Sequence, residues 1–321
     1  DTYWIGRDAM SGNMAIIQTE NLSKIYHKNR TETVAALKGL NLTVQSGEIF
    51  GFLGPNGAGK TTTIRLLLDL IHPTGGKAML FGENAHDNSI ELHKRIGFLP
   101  AELNLWKNLS GSQVVNYIGK VRGGVDTHYL QTLTSRLQLD LNIRIRSYST
   151  GNKRKLGLVL AMMNKPELLI LDEPTSGLDP LMQQTFNELM LDVQKEGRTV
   201  FLSSHMLGEV QTICDRVGIL RGGELKAVET VSNLTHANFR WVTVRVREGV
   251  EAKQLSSLTG VSDVSAVDGG FKLRLSGDFD PLLRVLSPYY VQDIEVAEPT
   301  LEEMFLSFYG NNGQTQKERV S

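Results

Sequence analysis

Residues 54 to 62 read Gly54-Pro55-Asn56-Gly57-Ala58-Gly59-Lys60-Thr61-Thr62, a Gly-x-x-x-x-Gly-Lys-Thr loop between the apolar run Ile49-Phe50-Gly51-Phe52-Leu53 and an amphipathic segment starting at Thr61. These residue types at this spacing suit phosphate chemistry. Glycines lack a Cβ, so successive backbone N–H groups can turn inward on an anion, and the following helix presents its positive N-terminal end to the same charge. Lys60 then reaches the β/γ oxygens of a triphosphate and the Thr61 hydroxyl holds Mg²⁺. The loop predicts a nucleoside triphosphate held by Asn56, Gly57, Ala58, Gly59, Lys60, Thr61 and Thr62.

Two further polar clusters fit the same chemistry. Leu168-Leu169-Ile170-Leu171-Asp172-Glu173 is an apolar strand ending in two carboxylates. Asp172 is placed to organise Mg²⁺ and its waters, and Glu173, one residue further out, to polarise the attacking water. The competing reading of that pair is a helix cap before Pro174. Tyr148-Ser149-Thr150-Gly151-Asn152-Lys153 directly precedes an apolar helix, so the Ser149 hydroxyl and the first backbone N–H groups form a second anion site at a positive helix end.

With Ser149 about twenty residues before the Asp-Glu pair, the sequence resembles the ATP-binding cassette (ABC) ATPases, whose Leu-Ser-Gly-Gly-Gln signature stands here as Tyr148 to Asn152. The resemblance implies an ATPase that binds ATP and Mg²⁺. It also implies that the signature of one subunit, through Ser149 and Gly151, closes on the γ-phosphate held by the other. The partners so implied are a second copy in a head-to-tail homodimer, or a related cassette subunit, and a separate transmembrane permease at the cytoplasmic face of the membrane. Ser176-Gly177-Leu178-Asp179 matches the family's D-loop, which links the two sites through Asp179. His205, in Leu202-Ser203-Ser204-His205, matches its switch histidine, and Tyr26 its adenine-stacking aromatic residue. The family's glutamine after Ile96-Gly97-Phe98-Leu99-Pro100 is replaced by Ala101 and Glu102, which leaves either Glu102 or water to contact the metal. The segment Glu298-Pro299-Thr300-Leu301-Glu302-Glu303-Met304-Phe305 and the Tyr-Ser-Thr-Gly-x-Lys form of the signature are similar to bacterial export-type subunits, many of which move drugs, antibiotics or polymers outward.

Three other readings compete. A soluble cassette ATPase acting on ribosomes or DNA usually carries two cassettes or a long coiled-coil insertion, and neither is present here. A GTPase is suggested by Asn164-Lys165-Pro166-Glu167, close to the guanine-specific Asn-Lys-x-Asp, but it stands before the Asp-Glu strand instead of far after it. A nucleotide-gated binding module without turnover conflicts with an intact Glu173.

The elements that must position these groups follow from hydrophobic periodicity. From Met14 to about residue 236, short apolar runs near 40–44, 48–53, 77–81, 95–99, 168–172, 199–203 and 215–220 alternate with helical patterns. This predicts an α/β nucleotide-binding domain around a largely parallel central sheet. Residues 100–166 are strand-poor, with helices near 111–122, 127–138 and 152–163, and read as an inserted helical subdomain. Residues 237–321 read as a small α+β domain of ferredoxin-like order. They give an alternating strand from Trp241, a helix at 251–258, strands at 261–267 and 271–275, a helix at 280–286, a strand at 290–296 and a last helix at 300–309. Residues 1–13 are patternless and read as a leader, a cloning remnant or a flexible tail.

Composition sets the bounds. A chain of 321 residues with 34 Lys plus Arg against 35 Asp plus Glu carries a net charge of −1, so no whole-protein field attracts nucleic acid, and no nucleic-acid partner is expected. The single Cys214 excludes an internal disulfide and fits a reducing compartment, where it reads as a small buried apolar residue. The longest apolar run, Leu156 to Met163, is about half of the roughly 18 residues a spanning helix needs, so any membrane role is borrowed from a partner.

Overall fold

A computed structural model gives the coordinates of the chain and describes residues 14–27, 32–235, 239–247, 249–297 and 299. The expected leader at 1–13, the break at 236–238 and the last helix at 300–309 lie outside the described residues. The chain divides into two compact units at Val231/Ser232.

The first unit runs β1 (Ala15–His27), β2 (Thr33–Gln45), β3 (Ile49–Leu53), α1 (Lys60–Leu67), β4 (Gly75–Leu80), β5 (Glu83–Asn84), α2 (Ser89–Lys94), β6 (Ile96–Leu99), α3 (Gly111–Val121), α4 (Thr127–Arg136), α5 (Thr150–Met162), β7 (Leu168–Asp172), α6 (Pro180–Lys195), β8 (Thr199–Ser204), α7 (Leu207–Ile213), β9 (Arg216–Arg221) and β10 (Glu224–Thr230). A short helix α8 (Val231–Thr235) follows.

Six strands form one sheet in the order β10-β9-β3-β8-β7-β6, parallel throughout except for the antiparallel β9–β10 pair at its edge. Parallel strands covered on both faces must be apolar continuously instead of alternately. Every residue of β3, β7 and β8 is accordingly buried. Phe50 and Phe52 of β3 pack on Phe201 of β8, with ring centroids 5.9 and 5.4 Å apart.

The runs at 40–44 and 77–81 do not join this sheet, contrary to expectation. They lie in a separate sheet of order β2-β1-β4-β5, antiparallel at every pairing. The alternation in β2, where Leu37, Leu40, Leu42 and Val44 are buried between exposed or half-buried neighbours, is that of a sheet with one solvated face.

Between β6 and β7 the chain is helical. α3 begins with a capping box in which the Ser110 hydroxyl accepts from Gln113 N–H at 3.2 Å and the Gln113 side chain accepts from Ser110 N–H at 2.8 Å. Among the described residues no helix is long and apolar enough to cross a membrane.

The second unit holds β11 (Phe239–Val246), α9 (Ala252–Ser256), β12 (Val261–Val267), β13 (Gly270–Ser276), α10 (Asp280–Leu286) and β14 (Val291–Ala297). Its sheet is antiparallel in the order β12-β13-β11-β14. Val242, Val244 and Val246 of β11 and Leu273 and Leu275 of β13 turn one face inward onto Leu255, Leu282 and Leu286 of the two helices.

Candidate functional site

The loop leaving β3 and the first turn of α1 wrap one side of a cleft lined by Asn56, Gly57, Ala58, Gly59, Lys60, Thr61 and Thr62. Gly59 caps α1 at φ 111°, in the left-handed region that only glycine enters at little cost. A Cβ there would stand 2.4 Å from the Ala36 carbonyl oxygen. Ala36, on β2, also lines the cleft. The antiparallel sheet therefore supplies a wall that the sequence did not announce.

Lys60 is buried at 6% exposure. Its ammonium donates to the Gly54 carbonyl at 2.6 Å and lies 3.2 Å from Glu173 Oε1. The other Glu173 oxygen is 2.6 Å from His205 Nδ1. Lys60, Glu173 and His205 thus converge on the cleft, although β8 separates β7 from β3. The Asp-Glu strand end is consequently one strand removed from the strand that leads into the loop. Strand β8 fills the gap with Ser203, whose hydroxyl donates to Asp172 Oδ1 at 2.5 Å and accepts from Glu173 N–H at 3.1 Å.

Glu173 adopts φ 50°, an uncommon left-handed conformation for a residue with a Cβ, which costs on the order of 1–3 kcal/mol and has to be held by its surroundings. The bond to Ser203 and that from Ser176 N–H to the Glu173 carbonyl, at 3.2 Å, hold it. Behind it, Glu209 of α7 accepts from Thr175 Oγ1 at 2.6 Å and from Ser204 Oγ at 2.5 Å, tying the loop after β7 to the loop after β8.

Arg154 is a further cleft residue that the sequence reading passed over. Its guanidinium donates to the carbonyls of Pro100 at 2.8 Å, Ala101 at 2.9 Å and Ser176 at 3.3 Å. Burial pulls its pKa down, against the upward pull of the Asp172 and Glu173 charges. It stands between Lys153 and Lys155, so in sequence it looks like one more solvated charge on a helix. Ala101 lines the cleft as well, whereas its neighbour Glu102 is exposed and absent from the lining.

Five other singled-out residues lie away from the lining. Asp172 is buried at 1% exposure, beneath the cleft floor with Ser203. Tyr26, on β1, is 37% exposed. Ser149 caps α5, its hydroxyl accepting from Asn152 N–H at 3.1 Å. Asp179 caps α6 in the same way, accepting from Met182 N–H at 3.0 Å. A Cβ on Gly151 would come within 3.1 Å of the Gly177 carbonyl, so the start of α5 and the 176–179 loop pack closely. Tyr148 is buried, and its hydroxyl donates to the Asp140 carbonyl at 2.6 Å. Burial, then the Asp140 charge, pushes its pKa up.

The segment Asn164 to Glu167 is used elsewhere. Asn164 donates to the Gly124 carbonyl at 2.7 Å, and Glu167 pairs with Arg95 through two bonds of 2.7 and 2.8 Å. None of the four lines the cleft.

The cleft fits a triphosphate in the chemistry of its groups: a glycine turn that a Cβ would close, a helix N-terminus and a buried ammonium. Thr61 and Asp172 offer only oxygen donors, which suits a hard cation such as Mg²⁺.

Residues 37–176 match the family described as ABC transporter. The bacitracin transport ATP-binding protein BcrA of Enterococcus faecalis is 33% identical over 308 residues, covering 93% of this chain and 97% of that protein. The linearmycin resistance ATP-binding protein LnrL of Bacillus subtilis is 30% identical over 311 residues, 92% of this chain and 98% of its own. Among solved structures, an ATP-binding subunit of an ABC transporter superposes with a TM-score of 0.62 at 26% identity, over 69% of this chain and 92% of that one.

Proposed function

The chain belongs to the ABC transporter family as an ATP-hydrolysing, nucleotide-binding subunit, and from that premise we propose that it energises a separate permease for outward transport, working as a head-to-tail pair. The observation that carries this reading is the convergence of Lys60, Glu173 and His205 on one glycine-rich cleft.

In the proposed mechanism the loop N–H groups and Lys60 bind the phosphates; Thr61 and Asp172 would hold Mg²⁺, which would supply positive charge to the phosphate oxygens. Glu173 takes a proton from the attacking water while His205 orients the carboxylate. Water adds to the γ-phosphorus as its bond to the ADP oxygen breaks, and inorganic phosphate and ADP leave. Ser203 fixes Asp172 and the Glu173 backbone from below. Ser149 and Gly151 act on the γ-phosphate bound by the partner copy, which agrees with their absence from this chain's own cleft lining. Losing one such donor costs roughly 2.7–4 kcal/mol of transition-state stabilisation in comparable sites. Asp179 links the two sites. Tyr26 stacks weakly on adenine, and Ala101 leaves the glutamine's place to water or Glu102.

The permease reading is supported by an exposed apolar surface close in sequence to Ala101. Trp106 and Tyr117 meet edge to face at 5.5 Å with 50% and 55% exposure. Val121, one turn beyond Tyr117 on α3, is 71% exposed. Docking there would hold the subunit at the cytoplasmic face of the membrane. The relatives' names, bacitracin transport and linearmycin resistance, support an antibiotic-like cargo moved outward.

Affinity purification of the tagged chain from native membranes tests this. A polytopic partner should co-purify with the wild-type chain and be lost from Trp106→Ser/Tyr117→Ser. Purification with ribosomes instead would overturn the transport reading.

A further inference from the structure

A second cluster of ligating groups lies outside the nucleotide cleft, at the far end of α1. Asp69, His72 and His86 bring one ligand atom each within 4.8 Å of one another. His72 Nδ1 is 3.4 Å and His86 Nδ1 3.0 Å from the same oxygen, Asp69 Oδ1. From these distances we infer that the three residues form a binding site for a divalent transition metal of the zinc class.

The geometry is close to what such an ion needs. With bonds of about 2.0–2.1 Å, two ligands of a tetrahedral metal stand about 3.3 Å apart, which the two nitrogen–oxygen distances already match; the ligand atoms, all within 4.8 Å of one another, need only draw together around one centre. The Asp69 side chain is 14% exposed, while the imidazoles of His72 and His86 are 72% and 61% exposed and open to solvent. Their rings meet edge to face, centroids 5.0 Å apart at 84°. The backbone is fixed on both sides: Asp69 turns at φ 50°, and His86 N–H donates to Asn84 Oδ1 at 3.0 Å. The nearby cation, Lys77, is paired with Glu20 at 3.1 Å and so does not take the carboxylate. Lys77 and the cluster share one small cleft, from which the nucleotide-loop residues are absent.

The donor set selects the metal. Two imidazoles and one carboxylate suit Zn²⁺, Co²⁺, Ni²⁺ or Cu²⁺, whereas Mg²⁺ and Ca²⁺ take oxygen ligands. Three protein ligands leave a fourth position for water. A metal there would clip the end of the phosphate-loop helix to the β5 turn, bridging 17 residues of chain.

The test uses the full chain, stripped with EDTA and free of nucleotide, and titrates Zn²⁺ against a chromophoric chelator. The wild type should take up one more equivalent than His72→Ala/His86→Ala, or bind it at least tenfold more tightly. A hundredfold excess over Kd should raise the wild-type melting temperature by roughly 5–10 °C more than the variant's, and Mg²⁺ should give no such difference. Equal Zn²⁺ uptake and equal melting shifts would overturn the site. Should the variant fail to fold, Co²⁺ added to the wild type decides instead: a visible absorption band that Zn²⁺ displaces supports the site, and a spectrum unchanged from aqueous Co²⁺ overturns it.

Discussion

Lys60 Nζ and Glu173 Oε1 face each other across the cleft at 3.2 Å, although Lys60 opens the helix after β3 and Glu173 follows β7, two strands with β8 between them. The ammonium assigned to the phosphates and the carboxylate assigned to the water are thus each other's partner, and His205 holds the second carboxylate oxygen at 2.6 Å. In the proposed mechanism a bound triphosphate takes the same ammonium, and Glu173 would exchange Lys60 for the attacking water.

Glu173→Gln should therefore abolish steady-state phosphate release, at least a hundredfold, while ATP affinity stays equal or rises. The amide keeps the shape but neither attracts a proton nor repels the γ-phosphate. Phosphate release and fluorescent ATP titration on the same preparation measure both, and wild-type turnover in this variant would refute the assignment.

Arg154→Ala removes three bonds from one buried guanidinium to Pro100, Ala101 and Ser176. Leaving those carbonyls without their charged donor should cost about 2–3 kcal/mol, a fall in melting temperature of roughly 4–12 °C for a unit of this size. Arg154→Lys should recover only part, because one ammonium cannot span three carbonyls in two loops. Calorimetry of the three proteins checks the order.

Ser203→Ala should lower kcat by about 10- to 100-fold, the usual effect of losing a group that orients a ligand, with KM for ATP changed much less. Among the described residues its hydroxyl bonds Asp172 and the Glu173 backbone. An equal loss in kcat and in ATP affinity would assign it to the binding surface instead.

What the sequence made legible was local. The phosphate loop declares itself through glycine spacing, and the strand read at 271–275 through alternation after the Gly269-Gly270 turn. What it concealed depends on partners distant in the chain. The run at 40–44 reads as a strand, and its pairing with β1 is what places it in another sheet. Ala36 has no chemistry of its own and matters because its carbonyl closes on Gly59. Ser203 was in view only as a neighbour of His205, since nothing in its surroundings announces a bond to a carboxylate 31 residues earlier. The three carbonyls of Arg154 come from loops 22 to 54 residues away.

Cys214 should stay inert to Ellman's reagent at pH 8 in the folded protein and react promptly in denaturant. It is 7% exposed, and burial, followed by the Asp215 and Glu48 charges, pushes its thiol well above the ordinary range, so little thiolate exists to attack. Immediate reaction of the native protein would show that α7 and β9 open far more readily than their packing implies.

The head-to-tail pair is the central claim, and a structure of Glu173→Gln with Mg²⁺-ATP tests it most directly. The account predicts two nucleotides, each gripped by Lys60 of one copy, with Ser149 Oγ and the Gly151 N–H of the other copy within hydrogen-bond distance of its γ-phosphate. Two bound nucleotides whose γ-phosphates meet neither Ser149 nor Gly151 of any copy would contradict it.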